Sequence, residues 1–262
     1  MGIRIGVLPE RYLRGVSEHL AGGYRGGARR EGNNVHRGAT SPYPVDLLGF
    51  LTAQEWPHSP ALISSTTKTS VLAYIAGTAA ITPKQRAAAA EDAALASTAR
   101  IVRELHDLTA GTRFAGSSEV ACHNDLDPRN TIYRRDGDVL RPVALIDWDL
   151  AGPGRRVHDL AHLCWTYTGI NPAADPGLIR HRVRVCLDAY EWAGTDDEVV
   201  DAMCGGRTAA TEVSAPRPTP VTRQCRLWCP TASSTRFATT TTGPCRTSVT
   251  LETNGRRRLQ AR

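Results

Sequence analysis

The chain has 262 residues, 41% of them hydrophobic, 22% charged, and a formal net charge of +6. It is long enough for one large domain or two small lobes, and it contains no apolar run of the roughly 18 residues that a membrane-spanning helix needs, so a cytoplasmic protein is expected. The positive charge is confined to one end: residues 204–262 hold ten Arg, no Lys, no Asp and two Glu, so residues 1–203 are slightly acidic and give no reason to expect a nucleic-acid or membrane partner.

Residues 10–40 interleave polar and Gly-rich stretches, which read as turns between short strands. Among them Gly22-Gly23 and Gly26-Gly27 either let a backbone approach phosphate oxygens or form an ordinary surface turn. Residues 45–51 predict a helix, with Pro42 and Pro44 before it and Pro57 after it. Residues 71–75 predict a short apolar strand ending at Gly77. Residues 84–109 predict one long helix, rich in Ala, with Ile101, Leu105 and Leu108 on one face. Residues 131–133 and 143–146 predict two strands around the turn Asp136-Gly137-Asp138. Residues 157–168 and 178–193 predict helices separated by Asn171-Pro172 and Asp175-Pro176. Cys122, Cys164 and Cys186 sit in apolar contexts and read as small buried hydrophobes.

From about residue 204 apolar periodicity is lost, Thr accounts for thirteen residues, and four of the seven cysteines crowd together. Two readings stay open for this segment: a disordered basic tail, or the out-of-frame translation of a GC-rich gene. The abrupt onset, the cysteines and the loss of acidic residues favour the second.

The chemistry-bearing segment is His123-Asn-Asp-Leu-Asp-Pro-Arg-Asn130, followed by Ile146-Asp147-Trp148-Asp149 beyond the expected hairpin. The hairpin can set Asn130 beside Asp147, and an amide oxygen with a carboxylate suits Mg²⁺. Asp125 could accept a proton from a substrate hydroxyl, and His123 could brace the loop. His158 and His162 share a helix face as in zinc hydrolases, but Asp159 is a shorter acid than such sites use and no third ligand is apparent, so structural roles are expected for them.

These two segments, with the run Ala144–Arg155 and His158-Asp-Leu-Ala161, resemble the aminoglycoside phosphotransferase, or phosphotransferase enzyme, family. The resemblance is specific over residues 119–165 and loose elsewhere between about 20 and 200. It implies an α+β, two-lobed protein-kinase-like fold: a small β-rich N-terminal lobe over residues 1–77, a larger mainly helical catalytic lobe over 78–203, and the tail 204–262. It implies Asp125 as catalytic base, His123 as a loop-orienting residue, Asn130 and Asp147 as Mg²⁺ ligands, and Asp159 as a structural tie. Tyr74 and Ile75 look like the strand that meets adenine, and Gly22 and Gly23 are candidates for the phosphate loop. The usual nucleotide-anchoring lysine is not in place, since the only lysines are Lys68 and Lys84; Arg37 aligns there instead, with Asp46 or Glu55 as its acidic partner.

The function expected from the resemblance is ATP- and Mg²⁺-dependent transfer of a γ-phosphoryl group to a hydroxyl of a small aminoglycoside-like or amino-alcohol acceptor. The alternative is a catalytically inactive kinase-fold protein of a binding or immunity type.

Overall fold

The computed structural model describes residues 17–20, 27–38, 41–137 and 139–205. Gly22, Gly23, Asp138 and the segment from residue 206 onward therefore lie outside the described residues. The order of elements is β1 (Ser17–Leu20), β2 (Ala28–Glu31), β3 (Asn34–Gly38), α1 (Pro42–Ala53), β4 (Leu62–Ser65), β5 (Thr69–Ala73), β6 (Thr78–Ala79), α2 (Pro83–Ala89), α3 (Asp92–Thr109), β7 (Val120–Cys122), β8 (Thr131–Asp136), β9 (Val139–Leu145), β10 (Gly152–Gly154), α4 (Arg156–Tyr167), α5 (Pro176–Tyr190) and α6 (Asp196–Gly205). The expected α+β class is what the structure shows.

The first half builds an antiparallel five-stranded sheet in the order β1-β2-β3-β5-β4. The β2–β3 turn is a two-residue reversal at Gly32-Asn33, with Gly32 at φ 60°, where a residue with a Cβ is disfavoured. α1 follows β3 and buries Leu47, Leu48 and Leu51. It starts earlier than residues 45–51 suggested, because Pro42 and Pro44 fall within its first turn, where a missing N–H costs nothing.

The second half packs around α3, whose buried positions Leu95, Ala99, Ile101, Val102 and Leu105 recur at helical spacing. The single helix expected over 84–109 is two helices. Thr82 and Gln85 form a capping box for α2, and the chain then turns extended at Glu91 before α3 starts. The break lets Ala89 pack with Ala80, Tyr133 and Leu140 in a small separate cluster, while α3 serves the main core. No Gly or Pro marks this junction, so tertiary packing alone sets it. α6 was not expected, although its signal was present: Thr195 and Glu198 exchange side-chain-to-backbone hydrogen bonds across its first turn. Cys122, Cys164 and Cys186 are all fully buried thiols. Among the described residues, no helix is long and apolar enough to cross a membrane.

The chain passes between the halves at residues 74–77, and Gly77 is what permits the crossing. At φ 153° a Cβ there would stand 2.4 Å from Ile132 Cγ2 and 2.6 Å from the Tyr133 carbonyl oxygen. Beside it β8 and β9 form a hairpin with a register shift between Ile132 and Tyr133. Opposite that shift the Val143 carbonyl is taken by His58 Nδ1 at 2.8 Å, and His58 O accepts from Leu145 N at 2.9 Å. Gly77→Ala should therefore destabilise the protein by about 1–3 kcal/mol, the usual cost of overpacking. Urea unfolding would measure it, and an unchanged midpoint would show that the crossing tolerates a side chain.

Candidate active site

β7 is buried at all three positions and delivers His123 into the core. Asn124 takes a left-handed conformation at φ 63°, and this bend turns two successive amides toward one acid. His123 N–H donates to Asp159 Oδ2 at 2.7 Å, and Asn124 N–H donates to Asp159 Oδ1 at 2.9 Å. Asp159 itself is fully buried on the first turn of α4. Its Oδ2 also meets His106 Nε2 at 3.2 Å, and His106 Nδ1 is bonded to the Tyr190 hydroxyl at 2.6 Å. Burial alone would raise the Asp159 carboxyl, but the His106 bond and charge, His123 and the Asn124 amide outweigh it, and the net direction is down. His106, Cys122 and Asp159 lie close enough to suggest a metal. However, both Asp159 oxygens are already engaged, and burial pushes the Cys122 thiol strongly up, away from the thiolate a metal takes. This cluster is a buttress.

The ring of His123 fixes its own tautomer. Nδ1 accepts from Asp125 N–H at 3.3 Å, so the proton resides on Nε2, which donates to Ile146 O at 3.1 Å. Burial is the largest influence and pushes His123 below its ordinary value, so the imidazole is neutral. It joins the loop carrying Asp125 to the segment carrying Asp147.

Asn130 makes the second junction. Its Nδ2 donates to Asp125 Oδ2 at 2.7 Å and to Asp125 O at 3.0 Å, while its backbone carbonyl accepts from Ile146 N at 2.8 Å. Asp127 acts locally, capping the short 3₁₀ turn Pro128–Asn130 and holding Arg129 with both carboxylate oxygens. Asp147 is left-handed at φ 66°, next to Trp148, which is 1% exposed. That indole donates to Leu145 O at 3.0 Å and packs between Trp56 and His123, with centroids 6.2 and 4.6 Å away.

A cleft of about 180 Å³ opens between the five-stranded sheet and these segments. Of the residues singled out from sequence, it brings together Arg37, Tyr74, Ile75, Asn130 and Asp147. Asp125 is not part of its lining and stands beyond Asn130. Arg37, on β3, donates from Nη2 to Asp147 Oδ1 at 2.9 Å and to Asp149 Oδ2 at 3.0 Å. Asp46 and Glu55 are both exposed and are not its partners. The sequence pattern assigned no role to Asp149, Trp148 or Trp56. The first is a member of the ion-pair set, and the two indoles pack against each other, a relation between distant segments that spacing does not encode. At the crossing, Tyr74 N–H is used by Asn33 O at 2.8 Å. Tyr74 and Ile75 both line the cleft, and the Tyr74 carbonyl and the Ile75 amide have no hydrogen-bond partner among the described residues.

A family model described as the phosphotransferase enzyme family matches residues 72–193. The trifolitoxin immunity protein of Rhizobium leguminosarum bv. trifolii is 28% identical over 198 residues, covering 65% of this chain and 72% of that protein. Among solved structures, ADP-bound aminoglycoside phosphotransferase APH(2'')-Ib superposes with a TM-score of 0.54 at 16% identity, covering 75% of this chain and 84% of that one. Aminoglycoside phosphotransferase APH(3'')-Id from Streptomyces rimosus, bound to ADP and streptomycin, gives 0.52 at 16% identity over 70% and 88%. Plasmodium vivax ethanolamine kinase gives 0.50 at 12% identity over 72% and 71%. At such identities these structures establish a shared fold.

The two buried groups predict the acid response. His123 titrates lower folded than unfolded, so its neutral form stabilises the fold above about pH 6.5 and that contribution is lost as pH falls below it. Asp159 is also depressed, so its contribution is complete above its ordinary 3.8 and lost as pH falls further. Both act in the same direction, and stability should decline in two stages from pH 7 downward. In His123→Gln the upper stage should flatten, as read from chemical denaturation at pH 7 and pH 5. An unaltered slope there would mean that His123 does not titrate with folding.

Proposed function

Because this chain belongs, through residues 72–193, to the phosphotransferase enzyme family, we propose that it is an ATP- and Mg²⁺-dependent small-molecule kinase that moves the γ-phosphoryl group to a hydroxyl of its acceptor. The observation that carries this reading is the position of Asn130. One side chain is bonded to Asp125 through its amide nitrogen, and its backbone is bonded to the strand end that leads into Asp147. Asp125, in this reading the proton acceptor, and Asp147, in this reading a metal ligand, are thereby held on either side of one residue.

The donor set suits a small hard cation. Asn130 has its Nδ2 committed to Asp125, which leaves Oδ1 as an oxygen donor, and Asp147 adds a carboxylate that is 24% exposed within the cleft. Mg²⁺ held by these two residues would neutralise charge on the nucleotide phosphates. Asp125 would orient the acceptor hydroxyl and take its proton as that oxygen bonds to the γ-phosphorus and the bond from the γ-phosphorus to the bridging oxygen breaks to release ADP, while Asn130 Nδ2 keeps the carboxylate aimed. Arg37 is the cation on the sheet side of the cleft that can reach phosphate oxygens with its planar donors. Tyr74 O and Ile75 N–H would bond the adenine edge. The acceptor class is drawn from the structural neighbours, whose names specify aminoglycosides and ethanolamine: a hydroxylated amine.

A second reading, a binding or immunity-type protein on the same scaffold, is favoured by one observation, the similarity to the trifolitoxin immunity protein. Turnover decides between the two. With a panel of hydroxylated amines and Mg·ATP, Asp125→Asn should lower kcat by about 10²–10⁴-fold, the range for losing a positioned base, with nucleotide affinity retained. Asp147→Ala and Asn130→Ala should both weaken Mg²⁺-dependent nucleotide binding measured by calorimetry. Nucleotide binding without turnover in the parent would favour the immunity reading, and binding unchanged in both metal-site variants would remove the assignment of Asn130 and Asp147.

A further inference from the structure

A single nitrogen, Arg37 Nη2, bridges two carboxylates, Asp147 at 2.9 Å and Asp149 at 3.0 Å. Arg37 side-chain exposure is 17%, and that of the two acids is 24% and 23%, so all three charges are largely withdrawn from water. Asp147 is held in its left-handed turn, and Asp149 belongs to the 3₁₀ turn Trp148–Leu150, packed down by the buried Trp148. The acids are thus fixed by backbone and indole, whereas the cation arrives on a long side chain from β3, across the cleft. Two carboxylates sharing one partner repel each other and require positive charge between them.

We propose that Arg37 is an exchangeable internal counter-cation: its guanidinium and a divalent ion are alternative partners of Asp147, and nucleotide phosphates are what draw Arg37 off the Asp147/Asp149 pair. The inference rests on the reading of Asp147 as a metal ligand. A divalent ion on Asp147 would lie within a few ångströms of Nη2, and like charges so close in a poorly hydrated cleft repel strongly. One must give way, and the flexible side chain is the one able to move. Arginine suits this role better than lysine. One nitrogen holds both acids, while Nε and Nη1 have no hydrogen bond among the described residues and belong to a planar fork that matches phosphate oxygens. Asp149 is then a positioning residue, because it holds Arg37 beside Asp147. Metal and nucleotide become coupled through Arg37, each favouring the other because each favours its release from the acid pair.

The test is Mn²⁺ binding to the full chain without nucleotide, followed by electron paramagnetic resonance, with ADP binding measured separately. Arg37→Gln should bind Mn²⁺ about tenfold more tightly than the parent, equivalent to one well-formed charge contact removed from the competition. Its affinity for ADP should fall. Arg37→Lys, which keeps the charge, should remain close to the parent for Mn²⁺. The Arg37→Gln/Asp149→Asn double variant has the same local net charge as the parent, so tighter Mn²⁺ binding there reports loss of the competitor and not a change in charge. It also serves if the single variant does not fold. Equal or weaker Mn²⁺ binding in both Gln-containing variants overturns the exchange while leaving the kinase reading intact. Mn²⁺ binding in Asp147→Ala equal to the parent, with ADP present, removes the metal assignment and the exchange together.

Discussion

The carboxylate of Asp159 is the constraint on which the site depends. It is fully buried and accepts the backbone amides of His123 and Asn124, together with the imidazole of His106. A buried charge is tolerable only when its lone pairs are filled, and here filling them forces the chain after β7 into the left-handed bend at Asn124. That bend sends the His123 ring toward Ile146 and sets Asp125 next to Asn130. Charge-assisted hydrogen bonds of this kind contribute about 1.5–3 kcal/mol each, and losing their shared acceptor would leave three donors stranded in the core. The acid sets the shape of the loop that carries Asp125 and Asn130.

Around this anchor the molecule is built as a set of cross-links between sequence-distant segments. His123 ties the loop carrying Asp125 to the Asp147 segment, Asn130 does so again, and Trp148 packs that segment between His123 and Trp56. His58 pins the loop after α1 onto β9. The side of the cleft that carries Asn130 and Asp147 is consequently cross-linked at several points. On the sheet side, contact is made by the side chain of Arg37. Acids held by backbone and indole thus face a cation carried on a long side chain from the sheet.

Several local features were legible because they rest on local physics. The hairpin at Gly137, the strands before α1, the helical spacing of α3 and the Pro-marked start of α5 all follow from turn chemistry and apolar period. The split between α2 and α3 was not legible, since no residue there breaks a helix and the cause is the distant cluster around Tyr133 and Leu140. α6 carries its capping pair in plain view, but it is short and abuts a segment of altered composition, so its local signal is weak.

For the site, the sequence by itself determined the kinds of group present. An acid, an amide and a second acid at fixed spacing are a property of the covalent chain, and so is the hairpin that returns one toward the other. Which acid faces which cation was decided only by tertiary structure. Arg37 lies 110 residues from Asp147, and its choice of Asp147 and Asp149 over the nearer Asp46 and Glu55 depends on which side chains face the cleft. Charge pairing across such separations is governed by distance and desolvation in three dimensions, and neither is written in the spacing of a linear chain.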